Sequence, residues 1–255
     1  MTPARFLTTL LMNLTVYPAM VVWTLACIAA FPVSFPAVLA ATRWPSDEAT
    51  RFLIWVYGRG WLVLVSPFVR FRREGFAEGV GQPPCILVVN HLSFFDTFFM
   101  GALPYHDVTF AVRSWPFKML WFTLFMRLAR YLDVEAMSSE ETFGTAKTAL
   151  GRGCSILFFP EGHRSRDGRL HRFHTGAFRL ATQTGVPVVP LVLTGTDRLL
   201  PAGRWWLTPA RVCLRALPPW DSKAFTGPLA HRKLRDAVWA QIDSALSGTA
   251  TAPRK

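Results

Sequence analysis

Charged side chains are scarce in this 255-residue chain: Asp, Glu, Lys and Arg make up 17%, against about 25% in an average soluble domain. With 51% apolar and 14% aromatic residues, this excludes a disordered, charge-solvated chain and leans toward a membrane. Acidic residues are scarcer still. The 16 Asp and Glu face 28 Lys and Arg, a formal charge of +12, so the partner is polyanionic: phosphate-bearing lipid, nucleic acid or an acidic carrier. Cysteine supplies no framework. Cys27, Cys85, Cys154 and Cys213 lie far apart without a C-x-x-C, and the last three sit in the runs CILVV, CSILFF and RVCLRAL. A thiol there behaves as a small buried hydrophobe, which argues against a disulfide scaffold or a zinc site and for a cytosolic bulk of the chain. No internal repeat, low-complexity linker or G-x-S-x-G is present, so nothing points to a solenoid or a serine-elbow hydrolase. The length suits one sizeable domain, or one domain plus a membrane element.

The amino terminus carries the clearest absence. From Phe6 to Thr42, 37 residues, no side chain is charged, whereas about 20 helical residues already cross a bilayer's hydrocarbon core. A cleaved signal peptide is the competing reading, but the run exceeds the roughly 7 to 15 residues of a signal's apolar region and no A-x-A follows it. Pro18, Pro32 and Pro36 interrupt the run, so it is expected either as a kinked span or as a hairpin entering and leaving by one face. Beyond it, Arg43, Arg51, Arg59, Arg70, Arg72 and Arg73 alternate with aromatics in RFLIWVYGRGWLVLVSPFVRFRREG. That mixture suits the lipid headgroup region, and the positive-inside rule puts this basic side in the cytoplasm at the cell membrane.

From about Val69, short β-rich runs alternate with helical patterns. The runs VRFR, CILVVN, DVTFAV, CSILFF, VPVVPLVL and RVCLRAL predict strands, and SSEETFGTAKTALGRG and TGAFRLATQTG predict helices. CILVV and SILFF are continuously apolar, as strands buried on both faces are. The expected fold class is therefore α/β: a mostly parallel or mixed sheet flanked by helices, with an N-terminal membrane-embedded helical segment. Leu229, Leu234, Val238, Ile242 and Leu246 recur near helical spacing and predict a C-terminal amphipathic helix. The expected division is residues 1–66 as anchor and interfacial helices, 67–247 as the catalytic domain and 248–255 as a frayed tail.

Two constellations carry chemistry. Asn90 to Asp96 reads NHLSFFD directly after a buried strand, placing His91 at the ligand-facing rim of an α/β sheet. If the chain turns between them, the Asp96 carboxylate holds one ring nitrogen of His91 and leaves the other to take a proton from a hydroxyl. That makes a base with an orienting acid and no enzyme nucleophile. The structural alternative is that Ser93-Phe94-Phe95-Asp96 forms an S-x-x-D capping box, with Asp96 serving only the backbone.

Phe158 to Ser165 reads FFPEGHRS after a second strand. Pro160 and Gly162 shape a turn; if the two strands are parallel neighbours, Glu161 and Arg164 project from the same rim as His91. Arg164, Arg166, Arg169, Arg172 and Arg179 cluster against only Glu161 and Asp167, and the guanidinium fork matches phosphate. The alternative is a solvated basic face resting on headgroups. His163, His171 and His174 complete no recognised metal spacing, so no metal is expected. Val186 to Leu191, VPVVPL, is by itself ordinary core.

In the order NHLSFFD, FPEGHRS, VPVVPLVLTGT, these segments resemble the glycerolipid (lysophospholipid) acyltransferase family, which includes bacterial 1-acylglycerol-3-phosphate acyltransferase. The resemblance covers about Val69 to Leu217. It implies that His91 and Asp96 are the catalytic H-x-x-x-x-D pair and that Glu161, Gly162, Arg164 and Ser165 bind the acceptor's phosphate or glycerol. It also implies that Val186, Pro187 and Pro190 line the site and that the apolar amino terminus docks on membrane. Two positions depart from the family pattern: Tyr131 to Glu135 reads YLDVE without the usual Arg, and His174 stands where Lys is common.

The expected activity is transfer of a fatty acyl group from acyl-CoA or acyl carrier protein to the hydroxyl of a lysophospholipid, most simply lysophosphatidic acid, giving phosphatidic acid. This chemistry requires no cofactor. The expected partners are the lysophospholipid, the acyl donor and membrane lipids. Nucleic acid is disfavoured because no recognition motif accompanies the basic residues. The alternatives are an acyltransferase for another lysolipid headgroup, a non-catalytic anionic-lipid-binding membrane protein, or a lipid hydrolase in which His91 activates water.

Overall fold

The computed structural model describes residues 2–77 and 81–250. The uncharged run lies in a single helix, α1 (Pro3–Thr42), with Pro18, Pro32 and Pro36 inside it. A hairpin within that run does not form. The chain turns instead at Arg43, whose left-handed backbone donates its N–H to Leu39 O. It returns as α2 (Ser46–Val65), which carries Asp47 and Glu48 at the positive end of its dipole. The two helices are tied by Trp23 Nε1 donating to Tyr57 O at 3.0 Å and by the Thr24 and Tyr57 hydroxyls at 2.9 Å.

α1 is long and apolar enough to cross a membrane, with mean hydropathy 1.9 over an 18-residue window that the protein leaves unburied. Leu7, Leu14, Val22, Leu25 and Val33 are exposed, and their spacing puts them on one side of the helix. The beginning of α1 is different: Met12 and Val16 enter the core. Buried Asn13 exchanges two hydrogen bonds with the Leu207 backbone, donating to its carbonyl at 2.8 Å and accepting its N–H at 2.9 Å.

The remainder forms β1 (Val69–Glu74), β2 (Ile86–Val89), α3 (Asp96–Phe99), β3 (Val108–Val112), α4 (Leu120–Leu128), β4 (Leu132–Asp133), α5 (Ser139–Gly151), β5 (Ser155–Phe158), α6 (Gly176–Thr184), β6 (Val188–Thr194), α7 (Thr196–Leu199), β7 (Ala210–Ala216) and α8 (Ala230–Ala250). The strands make one seven-stranded sheet in the order β1-β7-β6-β2-β5-β3-β4. Neighbours are parallel except β6 and β7, so the sheet is mixed and mostly parallel. α5 begins at a capping box: Ser138 Oγ accepts the Glu141 N–H and Glu141 accepts the Ser138 N–H. α8 continues through Ala250, past the expected end of the folded part at 247. The rest of the expected tail, 251–255, lies outside the described residues.

β2 is central and wholly buried, and its side chains alternate between two cores. Leu87 and Val89 join Met12, Val16 and Trp61 on the layer of α1 and α2. Ile86 and Val88 join Phe178, Leu234 and Val238 on the layer of α6 and α8. The hairpin layer approaches closely where Gly58 of α2 meets Gly101, in a 3-10 turn after α3 (Met100–Ala102): a Cβ on Gly101 would lie 2.7 Å from the Gly58 carbonyl carbon. The four cysteines are free. Burial pushes the Cys154 thiol up to about 12.

Candidate active site

β2, β5 and β6 run in parallel, so the segments after their carboxyl ends gather at one rim. Asn90 closes the end of β2 by donating to Leu193 O of β6 at 2.9 Å and accepting its N–H at 2.8 Å. The next residue is His91. Its Nδ1 lies 2.7 Å from Asp96 Oδ2, with the carboxylate fully buried and the imidazole 19% exposed. The same oxygen accepts the N–H groups of Leu92 at 2.6 Å and Ser93 at 2.8 Å, so Asp96 serves the ring and the turn at once. Ser93 makes only part of the expected capping box: its hydroxyl accepts the Phe95 N–H at 3.4 Å and donates to Leu200 O at 2.9 Å, while α3 itself is capped at Phe95 without a side-chain bond. The imidazole rests on the Phe159 ring, with centroids 4.3 Å apart. Its Nε2 is left for the cavity that His91 lines.

The FPEGHRS turn is bound to this pair through backbone. Glu161, 2% exposed, accepts the His91 N–H at 2.8 Å and the His171 N–H at 2.9 Å, one on each oxygen. Burial raises its carboxyl above the ordinary range, opposed by those two N–H bonds. Ser165, also buried, donates its N–H to His91 O at 2.8 Å and its hydroxyl to Asp167 at 2.9 Å. Gly162 has φ +72°, and a Cβ there would lie 3.1 Å from the His174 ring, so glycine both permits the turn and leaves room for that histidine.

His91 lines a cavity of about 1610 Å³, together with apolar side chains including Ile28 and Phe31 of α1, Ile54 of α2, Phe98, and Phe125 of α4. Gly162, Arg164, Arg166, His163, His171 and His174 form part of its lining, as does Arg113. The structure thus brings together His91, Asp96, Glu161, Gly162, Arg164 and Ser165, with Arg164 exposed on the cavity and Glu161 and Ser165 holding the loop behind it. Pro187 and Pro190 correct the expectation, since neither lines this cavity. Pro187 accepts the Ile86 N–H at the opposite end of the parallel strands, and Pro190 is buried in mid-sheet beside Val88. Among the described residues no group of three or more His, Cys, Asp or Glu side chains is placed to hold a metal.

Arg113 escaped the sequence reading. It follows β3, and its Nε donates to Glu135 at 2.6 Å. Arg113 thus places a guanidinium beside Glu135, at the end of the YLDVE segment, and on the cavity lining. The pairing β3 to β4 was the signal, and a strand as short as Leu132–Asp133 hides it.

Comparison with known proteins bears on this geometry. A chloroplastic 1-acyl-sn-glycerol-3-phosphate acyltransferase of Brassica napus is 36% identical over 145 residues, 55% of this chain and 42% of its own. One of Chlamydomonas reinhardtii is 30% identical over 195 residues, 73% of this chain and 57% of its own. The chain thus spans less than two thirds of the length of these relatives. The crystal structure of the 1-acyl-sn-glycerophosphate acyltransferase of Thermotoga maritima superposes with TM-score 0.73 at 24% identity, covering 98% of this chain and all of that one, which shows a shared fold. The acyltransferase family model matches residues 54–194, more than half of the sequence, and by that match the chain belongs to the acyltransferase family.

Proposed function

We propose that this protein transfers a fatty acyl group from a thioester, acyl-CoA or acyl carrier protein, to the hydroxyl of a lysophospholipid, most simply lysophosphatidic acid. One observation carries the reading: a histidine held by a buried carboxylate at 2.7 Å lines a large, mostly apolar cavity together with arginines. With its proton on Nδ1 toward Asp96, His91 offers Nε2 as the base. As the acceptor oxygen attacks the thioester carbonyl, Nε2 takes the hydroxyl proton. The new C–O bond forms, the C–S bond breaks, and the proton passes to the departing thiolate, giving ester plus thiol. Asp96 fixes the tautomer and stabilises the imidazolium. The apolar cavity receives acyl chain, and Arg164 meets the acceptor's phosphate with Gly162 shaping the turn beside it. Glu161 and Ser165 act through backbone, as positioning residues.

In this reading α1 and α2 form the membrane element, the start of α1 also entering the core, and the sheet with its helices through α8 forms the catalytic domain, on the cytoplasmic face of the cell membrane. The exposed apolar side of α1 supports lipid contact. Incubation with lysophosphatidic acid and an acyl thioester, following free thiol and lipid product together, tests the proposal. Thiol with diacyl product is expected. Thiol with free fatty acid would indicate a hydrolase, and no thiol release a lipid-binding protein.

A further inference from the structure

Behind the reaction rim, on the α6 and α8 layer, lies a second concavity of about 890 Å³. Arg172 and Arg179 contribute from the turn before α6 and from α6 itself; His231, Arg232 and Arg235 contribute from α8. Its carboxylate, Glu161, already has both oxygens on backbone N–H groups. Arg235, 13% exposed, pairs with Asp236 at 2.7 Å, while Arg172, Arg179 and Arg232 stand exposed. The α8 wall is fixed in place by Trp239 Nε1 donating to His171 O at 3.0 Å. His163, His171 and His174 line both this cleft and the apolar cavity, so the two are joined along one rim.

We propose that this cleft binds the phosphorylated nucleotide of acyl-CoA, an inference that rests on the acyl-transfer reading and assigns its donor. Three observations converge. The cleft lies on the layer opposite α1 and α2, so a water-soluble polyphosphate reaches it more readily than a lipid headgroup seated with the hairpin. Its volume is that of a small-molecule site and accommodates a nucleotide within the concavity, whereas a folded carrier protein would need a broad surface. Its arginines present planar forks, the geometry that grips phosphate oxygens in pairs. The three histidines shared with the cavity then mark the path of the pantetheine arm, which carries the thioester from the nucleotide to His91.

The test compares wild type with Arg172→Glu/Arg232→Glu and the milder Arg172→Gln/Arg232→Gln, each checked for an unchanged thermal transition. Binding of adenosine 3′,5′-bisphosphate is measured by calorimetry without turnover, and donor KM is measured with acyl-CoA, acyl carrier protein and an N-acetylcysteamine thioester that lacks the nucleotide. Wild type should bind the bisphosphate, and charge reversal should weaken it about 100-fold or more, the loss expected from two charge-assisted contacts. The acyl-CoA KM should rise by a similar factor, with the nucleotide-free thioester spared and the Gln variant intermediate. Absence of bisphosphate binding by wild type would overturn the proposal. So would a rise confined to the carrier-protein KM, or equal losses on all three donors. Because nucleotide binding is read without chemistry, failure of the donor assignment and failure of the acyl-transfer reading are told apart.

Discussion

Asp96 does two jobs with one oxygen, and this decides how its variants behave. Asp96→Asn keeps an oxygen able to accept from the Leu92 and Ser93 N–H groups, losing mainly a charge, so folding should survive. Presented to the His91 ring, however, the amide cannot stabilise an imidazolium, and kcat/KM should fall by roughly the 10² to 10⁴ that general-base catalysis supplies. Ser93→Ala should do the reverse: it strips the buried Leu200 carbonyl of its donor, lowering stability by about 1 to 3 kcal/mol while leaving substantial activity. Normal turnover in Asp96→Asn, measured beside its melting curve, would return Asp96 to a purely structural role. Glu161 gives a pH signature. Its carboxyl is raised, so the neutral form is the one the fold favours. Its contribution to stability is present below the ordinary value of 4.5 and is lost as pH rises through the raised one. In Glu161→Gln that segment of the stability–pH curve should flatten, and because Gln offers one acceptor to two backbone N–H groups the whole curve should drop by about 1 to 3 kcal/mol. Urea unfolding from pH 4 to 7 reads both effects. The polar site was legible in the sequence because NHLSFFD and FPEGHRS follow strands that the fold makes parallel neighbours. Which members touch the cavity was not legible, because exposure of Arg164 and burial of Ser165, one residue apart, are set by a turn.

At the scale of elements, α1 belongs as much to the domain as to any bilayer. Asn13 lies within the uncharged run, yet its side chain completes the Leu207 backbone, and Met12 and Val16 fill the same core as β2. Deleting the whole run would therefore damage the fold. Asn13→Ala alone should cost about 1 to 3 kcal/mol by leaving a buried N–H and C=O unpaired, and should quicken proteolysis near residue 207 without changing the far end of α1. Protection of that loop at the wild-type level would show that the helix start is not held there. Hydropathy alone made this helix visible, but three prolines left its shape open between a kinked span and a hairpin; the run is one helix, and the break falls at Arg43 to Pro45, just after the uncharged residues end. The α/β pattern was easier to read, since CILVV and SILFF are buried on both faces and leave a plain apolar signal. The docking of α8 beside His171 left none, because it depends on Trp239 meeting a carbonyl 68 residues away.

The whole molecule is two-faced, with an apolar hairpin on one layer and a basic cleft on the other, and a net charge of +12 spread between. Two attractions to a membrane follow, and they have different dependences. The exposed Val22, Leu25 and Val33 side chains of α1 offer hydrophobic contact that does not need lipid charge. Arg43 at the turn between α1 and α2, Arg59 on α2 and Arg70 and Arg72 on β1 are all exposed, with Arg59 laid over Trp55 at 4.4 Å; near an anionic surface each basic residue contributes about 1 kcal/mol. Replacing Val22, Leu25 and Val33 together by Gln touches none of the buried contacts at Met12, Asn13 or Val16, so the thermal transition should stay in place. In flotation with neutral phosphatidylcholine vesicles the variant should separate from lipid where wild type does not. With anionic vesicles at low salt the arginines should hold it, and about 1 M salt, which shortens the screening length from about 10 Å at 0.1 M to about 3 Å, should release it. A variant that still floats with neutral vesicles would show that α1 is not the lipid-facing element, and one that ignores salt on anionic vesicles would show that the arginines do not face the headgroups.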